Sequence, residues 1–394
     1  MKASRFFFDR HQAQTTPFPF ALDIERAEGI YLFDKAGKKY MDMISGVAVS
    51  NIGHRHPHVV EAIKNQLDKH MHTMVYGEYA SESADKLAEL LTDHLPDSLD
   101  CVYYVNSGTE ANEAALKLAK RATGRTKIVS CLKSYHGSTH GSLSISGNES
   151  KKSTFRPLLP DVHFIEFNNP DHLSKIDSQT ACVVMETIQG DAGVRIPDTT
   201  YMKAVKNRCE EVGALLILDE IQTGFGRTGS LFAFEQFDIV PDIMTIAKAM
   251  GGGLPIGAMV SSTELMETLT SDPMLGHITT FGGNPVCCAA AHASLQVITN
   301  KRLWENARTR GKQLANALDH PAFSEIRHRG LLLALDMDSS ETVLKLAENC
   351  LNDGLIGFWF LSQPSSFRLS PPLTITEEEQ DEAVKIIRHN LDKL

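Results

Sequence analysis

The chain has 394 residues, 42% of them hydrophobic, with 39 Lys and Arg against 49 Asp and Glu for a net charge of −10. That length supports a large core divided over two domains, and the acidic balance argues against a nucleic-acid groove, where phosphate neutralisation requires a basic face. No apolar run approaches a membrane span, and seven cysteines without a C-x-x-C pair read as reduced thiols in a cytoplasmic protein.

The start, Met1 to Phe8, carries charge followed by aromatics but is too short in apolar length for a signal peptide, so it reads as a segment that packs on a partner subunit. Residues 17–45 hold short strand signals with turns at Gly29 and Gly37, typical of a small antiparallel piece. Next, His54, His56 and His58 alternate as metal ligands on a strand would, but Pro57 breaks that strand and 59–67 runs on as a helix. No metal is expected there.

From about 60 to 285 apolar runs alternate with helix-forming stretches, the pattern of parallel β-α units. Val102–Val105 is strand-like, and Asn106-Ser107-Gly108-Thr109 then opens a run of strong helix formers. Such a turn aims free N–H groups at an anion such as a phosphate monoester, or simply caps the helix. Past the strand-like Lys127–Cys131, Tyr135 in Ser134-Tyr135-His136-Gly137-Ser138 could stack on a flat ring or be an ordinary core or surface tyrosine. Another apolar strand, Ala181–Met185, ends in Glu186 and leads to Gly190-Asp191.

Leu215–Leu218 then delivers Asp219 and Glu220 to a strand end, and Thr245-Ile246-Ala247 delivers Lys248 just before Gly251-Gly252-Gly253. An acid and a lysine at adjacent strand ends lie where open α/β sheets bind ligands. A P-loop nucleotide site would need G-x-x-x-x-G-K-[ST], and that string is absent. Pyridoxal 5'-phosphate (PLP) does need such a pair, because its aldehyde condenses with a lysine amine and its ring nitrogen wants a carboxylate. Thr279-Thr280-Phe281-Gly282-Gly283 is a hydroxyl-rich loop able to hold a phosphate oxygen. Beyond it, residues 286–394 alternate helices (289–297, 303–318, from Glu341, from near Glu377) with strands (330–336 and one before Arg368), an α+β pattern.

Taken in order, these segments resemble the class III PLP-dependent aminotransferases, of the acetylornithine and ornithine type. The likeness runs from Gly29–Asp34 to Phe367–Pro372 and is most specific at Leu218–Gly229 and Ala247-Lys248. It implies an α/β fold of PLP-dependent transferase type I. A large domain (51–285) would carry a mostly parallel sheet flanked by helices, with a smaller α+β domain (286–394) and an N-terminal segment (1–50) packing on the small domain and the partner. It also implies a two-half-reaction transfer from a small-molecule amino donor to a 2-oxo acid, 2-oxoglutarate above all. An aminomutase, racemase or decarboxylase on the same fold is the alternative.

By the same resemblance, Lys248 would be nucleophile and proton shuttle, and Asp219 would keep the ring nitrogen protonated. Ser107, Gly108 and Thr109 would cradle the phosphate, Tyr135 would stack on the ring, and Gln222 would bond its phenolic oxygen, with His136 and Glu186 beside the cofactor. Arg368 would take a substrate carboxylate, with Asp191 as its gating partner and Thr279 nearby, while Thr280 would reach the phosphate of the neighbouring subunit in a homodimer. Two positions depart from the family: Ser138 stands where the acetylornithine and ornithine enzymes have arginine, and Asp191 where glutamate is usual.

Overall fold

The computed structural model describes residues 8–394; Met1 to Phe7, most of the stretch expected to pack on a partner, lie outside the described residues. The first sheet is antiparallel through β1 (Ile24–Glu28), β2 (Tyr31–Asp34) and β3 (Lys39–Asp42). Its tight turns follow from local chemistry. Gly29 and Gly37 supply φ of +57° and +83°, and the Asp34 carboxylate accepts from the Ala36 and Lys38 amides at 2.9 Å each.

The central sheet comprises β4 (Cys101–Val105), β5 (Lys127–Cys131), β6 (Val162–Ile165), β7 (Thr180–Glu186), β8 (Leu215–Asp219), β9 (Ile243–Ile246) and β10 (Gly257–Ser261). Their order is β4-β10-β9-β8-β7-β5-β6. All run parallel except β10, which pairs antiparallel with both β4 and β9. Strands β7 to β10 are buried at nearly every position, as expected of a sheet covered on both faces. β6 and β10 gave no clear sequence signal. The first is an edge strand with His163 exposed, and the second is a short buried run headed by a glycine.

The C-terminal part builds β11 (Glu325–Arg329), β12 (Leu332–Asp336), β13 (Leu355–Ile356), β14 (Phe358–Trp359) and β15 (Ser366–Leu369). Four of these form an antiparallel sheet, β11-β12-β15-β14, while β13 adds in parallel to β3 and so ties the N-terminal strands to the C-terminal region. Helices Leu303–Ala317, Ser340–Asn352 and Glu377–Leu391 accompany this sheet. The expected boundary at 285/286 falls at the N-terminus of helix Pro285–Asn300, which packs on helices Pro57–Leu67 and Glu82–Thr92.

Arg227, fully buried, welds these parts together: its guanidinium donates to the carbonyls of Leu331 (2.8 Å) and Pro371 (2.5 Å) and to the Asn51 side chain. Removing one partner from such a network would strand a buried cation, so the three regions are fixed relative to one another.

Candidate active site

Parallel register does the first part of the construction. β7 and β8 align Glu186 with Asp219, and β8 and β9 align Asp219 with Thr245, so three polar groups sit in a row at the carboxyl end of the sheet. Because side chains alternate across a strand, Asp219 and Glu220 go separate ways. Glu220 is buried and accepts from the hydroxyls of Thr187 (2.8 Å) and Thr223 and from the amides of Ala233 (3.1 Å) and Phe234 (2.8 Å). It pins the loop after β8. Asp219 instead faces a cavity of about 510 Å³ that also reaches Lys248 and the start of helix Gly108–Thr123.

Asp219 is only 4% exposed and is held from three sides: His136 Nδ1 at 2.8 Å, Asn112 Nδ2 at 2.9 Å and the Ile221 amide at 3.0 Å. Asn112 is itself fixed, donating to the His136 carbonyl at 2.7 Å and accepting from Thr245 at 2.9 Å. Sequence reasoning missed Asn112 and Thr245. The available signal was an asparagine among the alanines and leucines of a buried helix face, where a polar side chain needs a partner. Glu186 accepts from the Tyr135 and Gly190 amides (3.1 and 2.8 Å). Burial, opposed by His136 and reinforced by Asp219, pushes its pKa up to about 7.

Lys248 was expected at the end of a strand. It lies two residues past β9, in a short 3-10 turn, with φ of +49°. A left-handed lysine is strained by about 1–2 kcal/mol, a cost that persists where the surroundings dictate it. Burial lowers its pKa; the field of Asp219 opposes this and that of Arg368 adds to it. The amine is therefore easier to deprotonate than a surface lysine.

At the other end of the cavity the predicted phosphate turn is in place. Ser107 caps the helix and Gly108 and Thr109 precede its first backbone bond, Ala111 N–H to the Ser107 carbonyl at 3.0 Å. A Cβ at Gly108 would come within 2.7 Å of the Ile221 side chain, so a larger residue there has to displace Ile221. Tyr135 and Gln222 line the same cavity, and Gln222 lies against Gly190, where a Cβ would meet its Oε1 at 2.5 Å. The wall near Val49 comes from a left-handed turn, Ser45 to Ala48, with φ between 49° and 68°, whose amides at Ile44 and Gly46 are tied to Asp42 at 3.0 Å.

Not every predicted residue joins this cavity. Arg368, on β15, is 6% exposed, and its Nε and Nη2 have no acceptor among the described residues; burial pushes its pKa down to about 10, with Asp191 opposing. Asp191 and Arg368 form no ion pair with each other here. The Asp191 oxygens accept instead from the Leu361 amide (3.0 Å) and the Ser362 hydroxyl (2.8 Å). Thr279 accepts from the Gly282 amide at 2.9 Å, and Thr280 is exposed on the same loop; neither lines the cavity of their own chain. Of the alternating histidines, His54 bonds Asp42 (2.8 Å), His56 caps a helix and His58 bonds Gln296 (2.9 Å).

The family model for class-III aminotransferases matches residues 12–391. The chain belongs to that family. Relatives of this class-III aminotransferase include the acetylornithine aminotransferase of Archaeoglobus fulgidus, 43% identical over 92% of this chain and 94% of that protein. A [LysW]-aminoadipate semialdehyde/glutamate semialdehyde transaminase of Sulfolobus acidocaldarius is 38% identical, with 95% of each chain covered. Among solved structures, the ornithine aminotransferase of Toxoplasma gondii superposes with a TM-score of 0.91 at 29% identity, covering 100% of this chain and 96% of the other. The fold is thus that of the PLP-dependent type I transferases, and the cofactor of this aminotransferase is PLP. The residues present fit it. The cavity offers a helix start for a phosphate, a carboxylate for a ring nitrogen, and the buried Gln222 Nε2, which has no hydrogen-bond partner among the described residues.

Proposed function

We propose that this enzyme moves the amino group of an ω-amino donor, of the acetylornithine or ornithine kind, to 2-oxoglutarate. Arg368 is the observation that carries the reading. A buried guanidinium with two N–H groups lacking acceptors is costly unless a carboxylate is going to arrive, and both the acid product and the 2-oxo acid acceptor have one. The names of the relatives support the donor class, and they leave an aminomutase, racemase or decarboxylase reading without support.

PLP, when bound, supplies an aldehyde for the amine and a ring that absorbs electrons. The chain's own residues do the rest. Ser107, Gly108 and Thr109 hold the phosphate, Tyr135 covers the ring, Gln222 takes the phenolic oxygen, and Asp219, oriented by His136, holds the proton on the ring nitrogen. Lys248 Nζ takes the proton from the amine-bearing carbon of the donor and returns one to the keto carbon of the acceptor. Glu186 fixes the Tyr135 backbone and Asp191 fixes the turn at Leu361, which keeps the substrate end in shape.

The active unit is proposed to be a cytoplasmic homodimer in which Thr279 and Thr280 complete the partner's site. Support comes from the surface around them: Met274, Leu275, Ile278 and Phe281 are exposed, and His72 packs on Phe281 at 5.1 Å. The large domain proposed for 51–285 carries this loop and all of the cavity's lining except Val49.

Two experiments test these statements. Purified protein should absorb in the visible, be fixed by borohydride at Lys248, and form glutamate from 2-oxoglutarate with at least one of acetylornithine, ornithine, 4-aminobutyrate, lysine or β-alanine. No glutamate with any of them sinks the transfer reading. Mixing Lys248→Ala with Thr280→Ala protein should restore part of the activity, because one site of each heterodimer is then intact. Verified heterodimers without recovery would mean each chain builds its site alone.

A further inference from the structure

Ser45, Gly46, Val47 and Ala48 hold φ of 49°, 56°, 68° and 59°, a whole turn of chain in the left-handed region. Glycine adopts that region freely, whereas a β-branched residue such as Val47 is an outlier there. Val47 is also 44% exposed, so burial of its side chain offsets little of the strain. Such strain persists only where the surroundings impose it. Directly after the turn comes Val49, the single cavity-lining residue that precedes position 51.

Two attachments impose the turn. The first is Asp42 at the end of β3, 2% exposed, whose Oδ1 accepts from the Ile44 amide at 3.0 Å. Its Oδ2 accepts from the Gly46 amide at 3.0 Å and from His54 Nε2 at 2.8 Å. A carboxylate only accepts, so the His54 proton lies on Nε2, and Nδ1 takes the Ser50 hydroxyl at 3.3 Å. His54 thereby bridges Asp42, ahead of the turn, to Ser50, just past it. The second attachment is to β15. Ser45 Oγ donates to the Ser370 carbonyl and the Ser370 amide to the Met43 carbonyl, both at 2.7 Å. Ser370 lies two residues beyond Arg368, so the turn is joined to the strand that carries the open guanidinium. None of these bonds reaches Asp219, Lys248 or the Ser107 turn.

We propose that Asp42 and His54 are positioning residues for substrate: their clasp enforces the left-handed turn, which sets Val49 in the cavity wall and holds that wall against β15. The proposal rests on the aminotransferase reading above and deepens it by naming what shapes the wall. Without the clasp, Val47 relaxes toward negative φ and Val49 shifts, while the groups that hold the cofactor stay where they are. Substrate fit then changes and cofactor retention does not.

The test uses the PLP-loaded enzyme with its best amino donor. His54→Leu should raise KM for the donor by about tenfold, the loss of one hydrogen bond to a charged group, with a smaller change in kcat and with PLP retained on dialysis as in wild type. His54→Gln, which keeps an N–H near the position of Nε2, should recover most of that loss. Adding Val47→Asn to His54→Leu is the decisive step. Asparagine tolerates the left-handed region, so the turn persists without the clasp and KM should return to within about threefold of wild type. An unchanged KM in His54→Leu, or a rise that Val47→Asn does not reverse, overturns the proposal. Stability of the cofactor-free protein gives a second readout. Val47→Asn should raise the urea midpoint of wild type, where the clasp enforces the strain, and shift that of His54→Leu much less. Equal shifts overturn the clasp. A wild-type enzyme that makes no glutamate with any donor defeats the transfer reading instead, and the urea comparison still reports on the clasp by itself.

Discussion

At one end of the active cavity Asp219 is enclosed by His136, Asn112 and the Ile221 amide, all between 2.8 and 3.0 Å away. Arg368, on β15 and outside the lining of that cavity, is nearly as deeply buried but leaves Nε and Nη2 without acceptors among the described residues. The contrast separates a permanent ligand from an exchangeable one. A carboxylate that serves a resident cofactor is best locked in position by the protein, since reorganisation at the moment of reaction is then avoided. A cation that serves a transient carboxylate has to keep donors free, and the protein bears the desolvation cost between turnovers.

The sharpest way to break this comparison is Asp219→Ala. Turnover should fall by about 10³-fold or more, because ring-nitrogen protonation is lost together with its electrostatic stabilisation, while circular dichroism and borohydride-fixed cofactor stay near wild type. Near-normal turnover would show that Asp219 does not serve the ring.

Arg368→Met probes the cation with open donors. We expect kcat/KM for carboxylate substrates to drop by about a hundredfold, with the melting temperature of the substrate-free protein unchanged or raised, since an uncompensated buried charge has been removed. A large loss of stability would mean Arg368 is part of the scaffold. Asn112→Ala sharpens the comparison on the locked side: losing one of the donors to Asp219 should reduce kcat about five- to tenfold, and restoring an amide with Asn112→Gln should recover part of it.

The smallest effect is a pH dependence. Glu186 has a pKa raised from 4.5 to about 7. Between those values the folded protein still binds the proton that the unfolded chain has released, so this contribution to stability is complete below about pH 4.5 and is lost as pH rises toward 7. Glu186→Gln cannot titrate, so its urea midpoint in the cofactor-free protein should gain on wild type across that window. A difference that is constant with pH would show that Glu186 stays in one protonation state.

Much of this was legible in the sequence because it depends on short-range order. An apolar run ending in Asp219, another leading to Lys248, and a Ser107-Gly108-Thr109 turn before helix formers each carry their structure within a few residues, and parallel topology brings strand ends together. The opposite orientations of Asp219 and Glu220 also follow from strand alternation alone. Residues whose meaning depends on distant neighbours were not legible. Asn112 looks like a weak spot in a helix until Asp219, 107 residues away, and Thr245 close around it. β11, rich in charge as Glu325-Ile326-Arg327-His328-Arg329, carries no apolar strand pattern of its own and is a strand because β12 pairs with it at the edge of a sheet. Lys248 appears from its pattern to end a strand, whereas the packed glycine turn after it imposes a left-handed backbone.

The sequence by itself therefore determined the family, the fold and the segments whose ends line the active cavity, since these are set by local pattern and by hydrophobic period. Only the tertiary structure decided how Asp191 is paired, that Arg368 stands with free donors, and that Ser45 ties its turn to Ser370. Those are questions of which polar groups meet across long loops, and hydrogen-bond partners are chosen by geometry that no single segment of chain contains.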